Sequence, residues 1–166
     1  VYVAGSHQSA ALRAGIPPEN IRHLGEDTQL VSALRIRSTI APHDRSGSLS
    51  LRLEHHARGD GTRSLGWATD LGRFTPEVEH LLQGCDVIAI ESNYDHELQV
   101  LSDRPPFLKE RIMNGNGHLS NEEAHRAVCR LAEVKTPSAV LLLHLSRDCN
   151  CPDLLRRFWE DQSPQL

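Results

Sequence analysis

No stretch of this sequence can cross a bilayer as a helix: the longest apolar run, Ala139 to Leu143, is a quarter of the roughly 20 residues that a span needs. The N-terminus has neither the basic nor the apolar region of a secretory signal, so the expectation is a cytoplasmic protein with no membrane partner. Cysteine is scarce. The four present are Cys85, Cys129, Cys149 and Cys151, and without a secretory signal, with Cys85 inside a strand pattern, they read as reduced thiols and not as a disulfide framework. An excess of basic charge is also lacking: 18 Lys and Arg against 22 Asp and Glu leave a net charge of −4. That charge gives no general attraction for nucleic acid or anionic lipid, so a polyanion would need a local patch or bound metal. A glycine-rich phosphate loop, a serine nucleophile elbow, heptads, internal repeats and linkers are all missing.

What is there is the composition of one globular domain over residues 1–166, 39% hydrophobic and 24% charged, long enough to bury a core. The chain opens on Val1-Tyr2-Val3-Ala4, a strand already under way, which suggests a piece of something longer. Ser6 is placed to cap a helix over Gln8–Ala14 that Gly15 ends, and Ile21–Leu24 reads as a brief strand. From Leu30 to His43 the alternation of Leu30, Leu34, Ile36 and Ile40 with Arg35 and Arg37 predicts one half-buried strand. Leu49, Leu51 and Leu53 alternating with Ser50, Arg52 and Glu54 predict the next, and Leu65–Thr69 a third that returns to Asp70. Thr75-Pro76 starts a helix and Gly84 stops it. Cys85–Ile90, β-branched and apolar, predicts a central strand covered on both faces. Helices follow over Asp95–Leu101, Pro106–Met113, and from a Ser120/Glu123 capping box to Glu133. Ala139–Leu143 reads as a buried strand and Pro152–Trp159 as a last helix. Strands first and then strands alternating with helices make a layered α/β domain.

Several of these segments end in groups that do chemistry. The strand from Leu65 delivers Asp70, Cys85–Ile90 delivers Glu91, and three segments place a histidine after apolar sequence or a glycine turn: His43, His118 and His144. Strand ends and the loops after them are where a rigid sheet aims side chains into a cleft. An aspartate with several histidines is the donor set of a divalent metal. Each residue also has a plain structural reading: Asp70 as a turn residue before Leu71-Gly72, Glu91 as an end-of-strand carboxylate, each histidine as a surface group. His7, His23, His55, His56, His80, His96 and His125 fall on helix faces or polar turns and read as solvated. Cys149-Asn150-Cys151 beside His144 lacks the second ligand pair that a zinc-thiolate site needs.

Ala68-Thr69-Asp70-Leu71-Gly72, Ile90-Glu91-Ser92-Asn93-Tyr94-Asp95, Gly117-His118-Leu119-Ser120-Asn121-Glu122 and Leu143-His144-Leu145-Ser146, in this order, resemble the metallo-β-lactamase superfamily. The nearest branch is that of the YycJ/WalJ-like hydrolases, relatives of RNase Z. The resemblance runs from Val1 to about Trp159. It implies an αββα sandwich with two divalent ions, zinc or manganese, at one edge of the sheets, and phosphodiester hydrolysis on DNA or RNA. It also implies roles: His43 on the first metal, Asp70 bridging both, His144 on the second, His118 hydrogen-bonding the scissile phosphate or protonating its leaving oxygen, Glu91 and Asn93 orienting ligands or lining the site. The superfamily's His-x-His-x-Asp-His motif is absent. The expectation is therefore a partial sandwich, the C-terminal part of the fold, that binds metal weakly, is inactive by itself, and self-associates through an uncovered sheet face. A degenerate, non-catalytic binding module or subunit is the alternative.

Overall fold

The computed structural model describes residues 1–25, 27–31, 33–57 and 61–162, with only the backbone of 27–31 and 57. The order of elements is β1 Tyr2–Val3, α1 Gln8–Arg13, β2 Arg22–His23, β3 Asp27–Val31, β4 Leu34–Ala41, β5 Ser48–Ala57, β6 Gly61–Ala68, α2 Pro76–Leu82, β7 Val87–Glu91, α3 His96–Leu101, α4 Pro106–Met113, α5 Asn121–Val134, β8 Ala139–Leu143 and α6 Pro152–Gln162. β1 and β2 pair in parallel as a small sheet, and the other strands form one six-stranded sheet in the order β3-β4-β5-β6-β7-β8. β3 to β6 are antiparallel neighbours, whereas β6, β7 and β8 are parallel. Two reversals separate β4 from β6, so β4, β6, β7 and β8 all run in one direction. Their carboxyl ends share one edge of the sheet, and that edge carries the site.

Helix boundaries follow the local chemistry. Thr75 accepts from the Val78 N–H and Pro76 opens α2; Asp95 caps α3 through the Leu98 N–H; Ser120 and Glu123 exchange both bonds of a capping box. Ser6 does not cap α1: a short 3₁₀ turn, Gly5–His7, precedes the helix, and the Ser6 hydroxyl is bonded to its neighbour His7. None of the four cysteines is in a disulfide.

One face of the sheet meets α2 and α5, with Trp159 of α6 packed against the same core. Ala68, Ile88, Ile90, Val78, Leu82, Val128 and Leu131 are buried there. Here the alternation in β5 has the opposite sense from the one its leucines suggest. Ser50 and Glu54 are buried, and Arg52 reaches from the same face to the carbonyls of Leu81 and Gln83 at the end of α2 and to Glu54 at 2.7 Å. Leu49, Leu51 and Leu53 are only half-buried. Registered across the sheet, their face continues through Leu65, Trp67 and Leu141, with Trp67 39% and Leu141 49% exposed. This is a sheet with helices on one side and an open apolar face on the other, one β-layer and its helices of an αββα arrangement.

Two strand expectations change. The stretch from Leu30 to His43 is a hairpin, because Leu30 belongs to β3 and β4 begins only at Leu34; Ile40, expected on the buried face, is 46% exposed. β8 is the last strand of the sheet among the described residues and is half-exposed, not buried, since nothing pairs beyond it or covers Leu141.

Candidate metal centre

The carboxyl ends of the four like-directed strands bring together Glu91, the last residue of β7, with His43, Asp70 and His144 in the loops after β4, β6 and β8, and the turn between α4 and α5 adds His118. Asp70 Oδ1 stands 3.7 Å from His43 Nε2 and 3.7 Å from His144 Nε2. These separations are too long for hydrogen bonds. They suit donors of a common cation, since two atoms each about 2.1 Å from one ion lie at most ~4.2 Å apart. The His118 ring adjoins both histidines, its centroid 5.1 Å from that of His43 and 5.1 Å from that of His144. Donor atoms of His43, Asp70 and His118 all fall within 4.8 Å of one another, as do those of Glu91, His118 and His144.

Glu91 organises this cluster from behind. Its side chain is fully buried; Oε1 accepts from His118 Nδ1 at 2.6 Å and lies 3.5 Å from His144 Nδ1, while Oε2 accepts from the Leu71 N–H at 2.6 Å. Burial pushes this carboxyl up, but the bonds from His118, His144 and Leu71 outweigh it and hold the group below the usual carboxylate range. An ionised Glu91 can only accept, so it fixes the tautomer of His118 with the proton on Nδ1. The bond to the same carboxylate holds His144 above the ordinary histidine range. His43 is oriented in the same way by the Gly117 carbonyl, 2.8 Å from Nδ1, which leaves Nε2 facing Asp70. Asn93 is buried and donates to the His144 carbonyl at 2.6 Å, so it holds the His144 loop.

The backbone is strained where the site needs it. Among the described residues, the non-glycine positions with positive φ are Asp44 at 45°, Asp70 at 57° and His144 at 58°, two candidate donors and the neighbour of a third. Left-handed backbone at such residues costs energy and persists only where surrounding contacts fix it. Here the Ser48 hydroxyl donates to the Asp70 carbonyl at 2.7 Å, the Gly72 N–H to the Pro42 carbonyl at 2.7 Å, and Arg111 clasps Asp44 with two nitrogens. The same clasp draws the Asp44 carboxyl below its usual range. Gly72 and Gly117 let these loops touch: a Cβ on Gly72 would strike the Gly115 carbonyl, and one on Gly117 the carbonyls of Arg111 and Ile112.

Sequence reasoning did not find the network beneath the site. Asn150 Nδ2 donates to the carbonyls of Ser92 and Asn93 and to Asn121 Oδ1 at 2.9–3.1 Å, and Ser92 Oγ donates to the same Asn121 oxygen at 2.8 Å. All three side chains are buried. They bind the segment after β7, the start of α5 and the segment after His144 into one unit. In the sequence Asn150 is only the middle residue of Cys149-Asn150-Cys151, with no local signal for these bonds. One histidine expected to be solvated is not: His125 is half-buried against the edges of Phe158 and Trp159, and burial lowers its pKa.

A family model described as the beta-lactamase superfamily domain matches residues 3–145. The chain is 27% identical over 130 residues to an exodeoxyribonuclease YycJ of Bacillus anthracis, covering 78% of this chain and 47% of that protein. It is 31% identical over 97 residues to an exodeoxyribonuclease WalJ of Streptococcus pneumoniae serotype 2, covering 58% of this chain and 36% of that protein. The chain therefore spans half the length of these curated relatives or less. Among solved structures, the zinc-bound PqqB of Methylobacterium extorquens superposes with a TM-score of 0.63 at 14% identity, covering 99% of this chain and 59% of that one. With its fold, motif order and matched length in agreement, this chain belongs to the metallo-β-lactamase superfamily, in its YycJ-like branch.

Proposed function

We propose that this chain carries the C-terminal half of a two-metal phosphodiesterase centre acting on DNA or RNA. The observation that supports the reading is that Asp70 Oδ1 lies 3.7 Å from His43 Nε2 and 3.7 Å from His144 Nε2, as a carboxylate shared by two ions would. His43 with Asp70 would hold one divalent ion, and Asp70 with His144 the other, zinc or manganese. When bound, such ions neutralise phosphoryl charge and make water acidic enough to attack at neutral pH. His118, its Nδ1 proton committed to Glu91, has Nε2 left to hold a proton for the leaving oxygen. Glu91 keeps that tautomer and balances the charge on the ring, and Asn93 keeps His144 in reach. The relatives named exodeoxyribonucleases favour a nucleic acid as the diester.

The donors fit only part of such a centre. Two protein donors per ion fall short of the three or four that tight sites use, which favours the second reading, a binding module that does no chemistry by itself. One experiment separates them. The chain is joined behind a segment that supplies His-x-His-x-Asp-His, loaded with manganese, and assayed on bis(p-nitrophenyl) phosphate. The enzyme reading expects turnover, its loss together with metal in Asp70→Ala and His144→Ala, and retained metal with kcat down about 10²–10⁴-fold in His118→Ala. A folded, fully metallated fusion without turnover establishes the module.

A further inference from the structure

The chain is acidic overall, yet three of its loops that carry a candidate donor also carry an unpaired arginine. Arg45 follows His43 by two residues, Arg73 follows Asp70 by three, and Arg147 follows His144 by three. All three are exposed, and their guanidinium groups have no hydrogen-bond or ion-pair partner among the described residues. The acids beside them are already neutralised: Asp44 is clasped by Arg111, and Asp148 is paired with Arg104 at 2.9 Å. The mouth therefore carries five arginines against two aspartates, beyond the carboxylates of Asp70 and Glu91. Arg45 and Arg111 also line a cleft of about 530 Å³ together with His43. Arg45, Arg73 and Arg147 thus stand on three separate loops, those of the candidate donors His43, Asp70 and His144. One small phosphate at the centre needs no charge on three loops; a chain of phosphates running across it does.

Resting on the phosphodiester reading above, we propose that Arg45, Arg73 and Arg147, with Arg111 in the cleft beside His43, form a binding track for the phosphates that flank the scissile one in a polynucleotide strand. Guanidinium groups suit this task because their fork matches phosphate oxygens and they stay charged at every relevant pH. The track needs no base contacts, so it binds strands without regard to sequence.

The test is binding without catalysis. Anisotropy of a fluorescein-labelled oligothymidylate is followed in EDTA across a sodium chloride series, for the chain and for Arg45→Gln, Arg73→Gln, Arg147→Gln and Arg63→Gln. Arg63 lies near the start of β6, at the end of the sheet away from Asp70. Each single-strand phosphate contact contributes about 0.7 to the slope of log K against log salt. The three mouth variants, whose side chains have no partner to lose, should each flatten the slope by about that amount, with Arg63→Gln unchanged. Salt-independent or absent binding by the parent chain, slopes unmoved in the three variants, or an equal loss in Arg63→Gln overturns the track. Because no divalent metal is present, failure of the hydrolysis reading leaves this result untouched, and the reverse.

Discussion

Glu91 is the residue on which most of the site geometry depends, because one buried carboxylate holds His118, His144 and the Asp70 loop at once. Glu91→Gln keeps the size but offers one acceptor oxygen in place of two and brings an N–H₂ that must face a donor. Loss of such a ligand-orienting partner costs about 10–100-fold in metal affinity. Zinc titration of Glu91→Gln by calorimetry should show that drop with the fold intact by circular dichroism, and equal affinity would reduce Glu91 to a packing role. The donors themselves were legible in the sequence because each ends an apolar segment. The partners were not: nothing in the spacing of Glu91 and His118 shows a 2.6 Å bond between them, and Ser92, Asn121 and Asn150 meet only after three segments have folded together.

At the scale of elements, Asp86 fastens the entry to β7. Its carboxylate accepts from the Ser64 N–H and hydroxyl on β6 and from Lys135 at the end of α5, and its carbonyl accepts from Ser138 before β8. These bonds, the one from Lys135 foremost, draw its pKa down from 3.8 to about 2. A carboxylate depressed on folding stabilises the fold above its unfolded pKa and loses that contribution as pH falls through the folded value. The contribution is therefore full above pH ~4 and gone near pH 2; with Lys135 half-exposed it amounts to about 1 kcal/mol. The Tm gap between the parent chain and Asp86→Asn should be open at pH 6 and shrink as pH falls toward 2, and a gap independent of pH would assign the loss to packing alone. Element types were readable from caps and breakers, such as Thr75-Pro76 and Ser120 with Glu123, since those signals are local. The burial of β5 was not readable, because which face of a strand is covered is decided by where α2 docks. Arg52 and Glu54 face the helix because they pair with each other and Arg52 closes the end of α2.

For the whole molecule, the open leucine face is the feature that matters. Leu49, Leu51, Leu53, Leu65, Trp67 and Leu141 lie on one side of a single sheet and are half-buried or exposed, whereas the helix-covered side buries its apolar residues almost completely. A monomer in water rarely leaves a contiguous apolar surface of this kind uncovered, because removing it from water is favourable by about 25 cal/mol per Å². The chain alone is therefore expected to self-associate through this face. Light scattering coupled to size exclusion should give a mass that rises with concentration. Trp67→Arg should shift the chain toward monomer without loss of secondary structure, since that side chain packs into no described core cluster and its backbone remains paired between β5 and β7. Association that persists unchanged in Trp67→Arg would place the contact elsewhere. A monodisperse, cooperatively melting monomer at high concentration would show that the sheet tolerates an open face.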